Sequence, residues 1–248
     1  MNFAISLTFY SFSSRQANFP GCITWPWAIN NKPAPGVNRK SLNDLYMNYE
    51  QLAFTDAIKK LQEEHGSRKA YARMEQKDER LGEAEFDFIA TRDTFYLASI
   101  GENGYPYIQH RGGPKGFLKV LDAQTLGMLD FSGNRQYITV GNVQTNPRVS
   151  MILMDYPMQA RMKIYAEMRV QALDTDPELY ERLEPKDYPF RAERILLFDV
   201  RGFSWNCQQH IVPRYTVEEI EQAFAGRNAY ISQLEEQVQR LRAEAKKS

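Results

Sequence analysis

Apolar positions along this chain change their period several times, and each change marks a different kind of element. Between 51 and 64, Leu52, Ala53, Ile58 and Leu61 stand among Asp, Lys and Glu at helical spacing, which predicts an amphipathic helix. A polar, charged stretch runs from His65 to Gly82. From Phe86 the signals turn to β. Thr94–Ile100 is β-branched and aromatic, Asn103-Gly104 predicts a two-residue hairpin turn, and Tyr105–His110 answers as the partner strand. Phe117–Leu121 and Thr125–Phe131 form a second hairpin pattern.

Gly133–Val143 predicts a short helix stopped by Asn146-Pro147, because proline cannot continue it. Val149–Met154 and Arg161–Leu173 are strands around a Tyr156-Pro157 turn; Pro177–Leu183 is a short helix and Arg194–Asn206 a long strand. At least six antiparallel strands with short links and one inserted helix predict a closed β-barrel. The fold class is therefore mainly β with flanking helices (α+β).

The two ends differ from this middle. Residues 1–46 are aromatic, Asn/Pro-rich and without periodicity, as in Trp25-Pro26-Trp27 and Pro33-Ala34-Pro35-Gly36. They are expected to be a poorly ordered extension, with Met47 an alternative start. Residues 47–85 then form an N-terminal helical segment, 86–213 the barrel and 214–248 the C-terminal helices. In that tail Ile231, Leu234, Val238, Leu241 and Ala245 alternate spacings of three and four. About two heptads are short of the three or four that define a coiled coil. The plainer expectation is an amphipathic helix lying on its own domain or on a dimer mate.

Composition narrows the function. Lys+Arg and Asp+Glu are both 31, so the formal net charge is zero and neither nucleic acid nor a polybasic membrane contact has electrostatic support. The two cysteines, Cys22 and Cys207, and three histidines make neither a disulfide framework nor a zinc spacing, which leaves the cytoplasm as the expected compartment and no metal. No apolar run approaches the ~20 residues of a membrane span. Gly-x-Ser-x-Gly, Walker and strand-linked Gly-x-Gly-x-x-Gly signatures are missing, so hydrolase, P-loop and Rossmann readings have no support.

The candidate chemistry lies between Pro106 and Ser150. Arg111, Lys119 and Arg135 are cations at strand ends and at the expected start of the 133–143 helix, among glycines that let backbone approach a ligand. A helix start offers unpaired N–H groups and a positive dipole end, and Asn134 is placed to cap it. That is how proteins hold a phosphate.

These segments resemble the pyridoxamine 5'-phosphate oxidase-like, FMN-binding split-barrel family. Its pattern is an Arg-to-Lys strand, a second strand, a Gly-Ser-Arg-Lys helix start and then Asn-Pro-Arg-Val. Here Lys119 through Arg135-Gln136 keeps that length, Asn134-Arg135-Gln136 stands in the Ser-Arg-Lys place, and Asn146-Pro147-Arg148-Val149 matches directly. The resemblance implies a six-stranded antiparallel split β-barrel of Greek-key type. It also implies a homodimer with FMN between the subunits; the balanced charge and the lack of a long apolar run give no nucleic-acid or membrane partner. The phosphate would be held by Arg111, Lys119, Arg135 and Gln136, and the ring flanked by Gln109, His110, Asp130 and Phe131. Asn142 and Trp205 are further contributors.

The departures are informative. Gly112-Gly113-Pro114 lengthens the Arg-to-Lys interval, and Gln136 replaces a lysine. Where the true oxidase has Trp-Gln and then Arg-Leu-His-Asp-Arg to grip its substrate, this chain runs from Trp205 through His210 to Arg214 without that clamp. The expected activity is transfer of hydride or electrons between a reductant such as NAD(P)H and a small-molecule acceptor, with the flavin carrying the chemistry. The alternative is a non-catalytic barrel that holds flavin or haem, or that uses a deazaflavin.

Overall fold

The computed structural model describes residues 48–75, 80–205 and 208–245. The expected 1–46 extension, Met47 and Cys207 lie outside the described residues. Among the described residues three short helices come first: α1 (Tyr49–Ala53), α2 (Asp56–Glu64) and α3 (Arg68–Met74). The single helix expected over 51–64 is thus split at Phe54-Thr55, where Thr55 takes the extended N-cap conformation that starts a new helix. The polar stretch after His65 contains α3, whose Arg68 bonds both Gln62 and Glu75.

α4 (Glu83–Ala90) follows. It occupies residues whose aromatic character had suggested a strand from Phe86. The Glu85 carboxylate accepts the Gly82 N–H at 2.9 Å and closes the first turn, and Ile89 points fully inward.

The sheet consists of β1 (Thr94–Ile100), β2 (Pro106–Gly112), β3 (Lys119–Val120), β4 (Thr125–Phe131), β5 (Arg148–Asp155), β6 (Ala160–Gln171) and β7 (Ala192–Trp205). Spatial order is β2-β1-β5-β6-β7-β4-β3, antiparallel throughout. The sheet has seven strands where the split barrel was expected to have six, and the class is unchanged; the expected Phe117–Leu121 strand shortens to the two-residue β3. The β1–β2 link is longer than the two-residue turn expected. Ile100 pairs with Pro106, so Gly101 to Tyr105 form the loop, with Gly104 in the left-handed region at φ +79°. Interposed are α5 (Ile138–Thr145) between β4 and β5, and α6 (Pro177–Leu183) before β7.

Strand alternation builds the interior. Phe95 and Leu97, Met151 and Leu153, and Leu196 and Phe198 all turn inward with less than 2% exposure. Phe95 stacks on Phe117 at 5.7 Å and meets the edge of Phe198 at 6.3 Å, although β1 and β7 are not neighbours in the sheet. The sheet therefore curls on itself. Register shifts at Tyr165/Ala166 and Asp130/Phe131 sharpen the bend. β4 lacks alternation because both faces are covered: Leu126 and Met128 face the core, while Leu129 packs in a second cluster with Leu183 of α6.

Met151, Met162 and Met168 fill the core, as expected of flexible apolar side chains. α1 lies on the outer face of β6 and β7. Tyr49 stacks on Tyr165 at 4.6 Å, and the buried Glu50 accepts a bond from the Ser204 hydroxyl at 2.9 Å. A Cβ on Gly202 would sit 2.6 Å from the Tyr49 backbone nitrogen. Gly202→Ala must displace α1 and is expected to cost about 1–3 kcal/mol, read as a lower urea midpoint at unchanged slope.

The tail is one helix, α7 (Val217–Ala245), where several were expected, and none of its residues is buried. Among the described residues, no helix is long and apolar enough to cross a membrane.

Candidate functional site

One cleft collects most of the residues singled out from the sequence. It is bounded by β2, the end of β4 and the loop leading into α5, and it holds about 80 Å³. Alternation along β2 turns Tyr107, Gln109 and Arg111 toward it. Asp130 and Phe131 close it from β4, and Asn134, Arg135 and Gln136 from the loop.

The loop is shaped differently from the sequence expectation. The helix starts at Ile138 and not at Gly133, so Arg135 stands before the helix and outside its first turn. Arg135 and Tyr137 both take left-handed backbone, φ 59° and 57°, a conformation that costs non-glycine residues energy and is often kept at ligand sites. Asn134 does not cap the helix: its side-chain oxygen accepts the Gln136 N–H at 3.2 Å. Tyr137 is the N-cap and makes no side-chain bond to the helix. The first N–H groups of α5 therefore face the cleft without a capping side chain.

Electrostatics are set by pairs. Arg111 donates to Asp130 at 2.5 Å, and Arg194, across the β4–β7 register, reaches the other oxygen of Asp130 at 3.3 Å. The Gln109 amide, with its oxygen toward them, accepts from the Thr139 hydroxyl at 2.7 Å and from Arg111 Nε and Nη2 at 3.1 and 2.9 Å. β2 is thereby tied to the start of α5. Glu193 also lines the cleft; the Ser132 hydroxyl, and then Arg194, hold its carboxyl below the usual value.

Arg135 donates through Nε to the Tyr137 hydroxyl at 2.9 Å, and the Tyr137 ring lies 4.8 Å beneath Arg194. Three guanidiniums (Arg111, Arg135, Arg194) against two carboxylates (Asp130, Glu193) leave a formal excess of one positive charge. Such a cleft suits a small anion.

Four candidates lie elsewhere. His110 points from the opposite face of β2, bonding Thr94 and lying edge-on to Tyr96. Lys119 sits on β3 opposite Gly127, outside the cleft lining. Asn142 donates to the Ser99 hydroxyl at 2.9 Å. Trp205 donates its indole N–H to Glu85 and packs edge-on to Phe88. Sequence reasoning missed Tyr107, Tyr137, Thr139, Glu193 and Arg194. Period-two alternation through Gln109 and Arg111 marks Tyr107. The partnership of Asp130 with Arg194 depends on register, which no local signal carries.

Residues 81–201 match the family model described as pyridoxamine 5'-phosphate oxidase. This segment carries the pattern of the pyridoxamine 5'-phosphate oxidase-like family. The matched residues span from just before α4 into β7, so the family segment contains every residue of the cleft.

Solved structures of similar shape include HupZ of Group A Streptococcus (12% identity, 54% of this chain and 99% of that one, TM-score 0.42). Another is an FMN-binding protein from Syntrophomonas wolfei (13%, 58% and 97%, 0.38). A third is a protein from Clostridium acetobutylicum related to general stress protein 26, of the pyridoxinephosphate oxidase family (16%, 54% and 92%, 0.35). No curated protein matches the chain.

Proposed function

We propose that the barrel binds FMN, with its phosphate in the Arg135 cleft, and acts as an FMN-dependent oxidoreductase. The observation carrying this is the coincidence, inside the family segment, of helix N–H groups without a side-chain cap and the Arg135 guanidinium, which is hydrogen-bonded to the Tyr137 hydroxyl. At about 80 Å³ the cleft is small beside the ~300 Å³ or more of ordinary ligand sites, which supports a phosphate-sized group inside it and the isoalloxazine ring outside.

The ring must therefore lie outside the cleft and be covered by another surface. The outer face of β1 and β2 presents Tyr96, Ile100 and Ile108 to solvent. A second barrel docked there would shield the ring and exclude water, which is the basis for a homodimer with cofactor at the interface. His110 and Trp205 face away from their own cleft, so their contacts with flavin would cross the subunit boundary.

When bound, FMN supplies the redox step: it takes a hydride from a reductant such as NAD(P)H and passes two electrons to a small-molecule acceptor. The chain's own residues bind and orient. Arg135 and the α5 N–H groups hold the anion, Gln109 keeps Arg111 and Thr139 in register, and Asp130 prevents two arginines from collapsing into the cleft.

Denaturing the purified protein and weighing the released small molecule tests the assignment. FMN is expected, with flavin absorbance in the native protein that bleaches on adding NADPH. Flavin that never bleaches with any reductant would favour the storage reading, and a Soret band would turn the assignment to haem. A preparation that neither releases flavin nor takes up added FMN would overturn it.

A further inference from the structure

We infer that α7 pairs with the α7 of a second copy of this chain as an antiparallel coiled coil. The alternating three-four seam from Ile231 to Ala245 extends backward without a break: Arg227, Phe224, Ile220 and Val217 keep the same spacing. All 29 residues are helical, so the seam is about four heptads long and passes the length that two heptads do not. Its apolar members are all exposed, from 40% at Leu234 to 66% at Val217. The helix thus leaves its apolar stripe off its own barrel, which sets aside the first half of the plainer expectation, a helix on its own domain, and leaves the second, a helix on a dimer mate.

Its starting point is held. Ile211 is buried, and its carbonyl accepts from the Gln159 side chain at 2.6 Å. The Arg214 guanidinium lies 5.0 Å over the Tyr156 ring. Thr216 and Glu219 form a reciprocal cap at 3.2 and 2.8 Å. The helix therefore springs from the β5–β6 turn and runs about 44 Å at 1.5 Å per residue.

Charge selects the second copy and its direction. Flanking the seam, Glu221 stands near the start and Arg242 near the end. Antiparallel pairing with Ile231 opposite Leu234 of the second copy sets Phe224 against Leu241 and places Glu221 beside Arg242, twice over. The same register faces Arg227 with Val238 of the mate and brings Glu235 alongside it. A parallel pair would oppose the two Arg227 side chains across the seam, a like-charge layer with no acid between them. The face is complementary to itself only head to tail.

This contact does not depend on the flavin reading. Antiparallel helices put the two barrels at opposite ends, so the coil joins barrels other than those that share a cofactor face. With the coil alone the full chain is a dimer; a further two-fold contact between barrels would raise the mass above that. Light scattering of the full chain should show the mass fall by half on Leu234→Asp/Val238→Asp.

Glu221→Arg and Arg242→Glu, both on exposed positions, should each weaken association at least tenfold, and the double exchange should restore it. Mixed Glu221→Cys and Arg242→Cys chains, in a Cys22→Ser/Cys207→Ser background, should oxidise to the heterodimer. An unchanged mass in the seam variant, no restoration by the double exchange, or homodimers alone on oxidation would each overturn the inference.

Discussion

Arg135→Ala is expected to weaken FMN binding about 10- to 100-fold, the equivalent of losing one charged hydrogen bond of roughly 1.5–3 kcal/mol. Arg148→Ala should leave it nearly unchanged. Both arginines flank α5, but Arg135 lines the cleft at its N-terminal end, and Arg148 opens β5 past its C-terminal end. Riboflavin lacks the phosphate and should bind parent and variants alike.

The backbone of Arg135 sharpens the test. At φ 59° it is in a region only glycine adopts freely, so Arg135→Gly should lose FMN affinity while the melting temperature of the free protein holds or rises. A merely structural arginine would show the reverse. Flavin titration and thermal melts on the two variants decide the matter: unchanged FMN affinity in both removes the cleft as the phosphate site. Lys119→Ala, away from the cleft lining, should act more weakly than Arg135→Ala.

Much of this molecule was legible in the sequence where a signal is local. Pro177–Leu183 begins at a proline after an aspartate whose side chain accepts the Leu179 N–H, and its bounds were readable to the residue. β1, β4 and β5 announce themselves by β-branched and apolar runs between turns. The errors have physical causes. Gly133-Asn134 looks like a helix start, yet Asn134 spends its side chain on Gln136, and the helix waits for Tyr137.

Gln109, His110 and Arg111 read as one contiguous motif, but a strand shows adjacent residues to opposite faces, and His110 goes with Tyr96. The Asp130 and Arg194 pair is separated by 63 intervening positions and arises only from β4–β7 register. The sevenfold seam of α7 was legible only in part because Arg227 interrupts its apolar run.

Asp130→Ala is expected to produce a large loss of stability, about 3 kcal/mol. Asp130 is 6% exposed and receives both Arg111 and Arg194, whose side chains are themselves mostly buried. Deleting it leaves the Arg111 guanidinium without its carboxylate and Arg194 with Glu193 alone, and removing one member of a buried pair costs more than the pair contributes. For a domain of this size the melting temperature should fall by roughly 6–12 °C. Asp130→Asn keeps an acceptor oxygen and should lose less.

Ligand should reverse part of the damage. An FMN phosphate would give the freed Arg111 a new anion, so the rise in melting temperature on adding FMN should be larger in Asp130→Ala than in the parent. Binding to the native state alone stabilises it by mass action, and the extra increment would report Arg111 turning to the ligand. If Asp130→Ala melts within about 2 °C of the parent, the Asp130 clamp is not what holds β4 against β2. If it melts low but FMN lifts both proteins equally, Arg111 does not reach the phosphate, and the anion rests on Arg135 and the helix start alone.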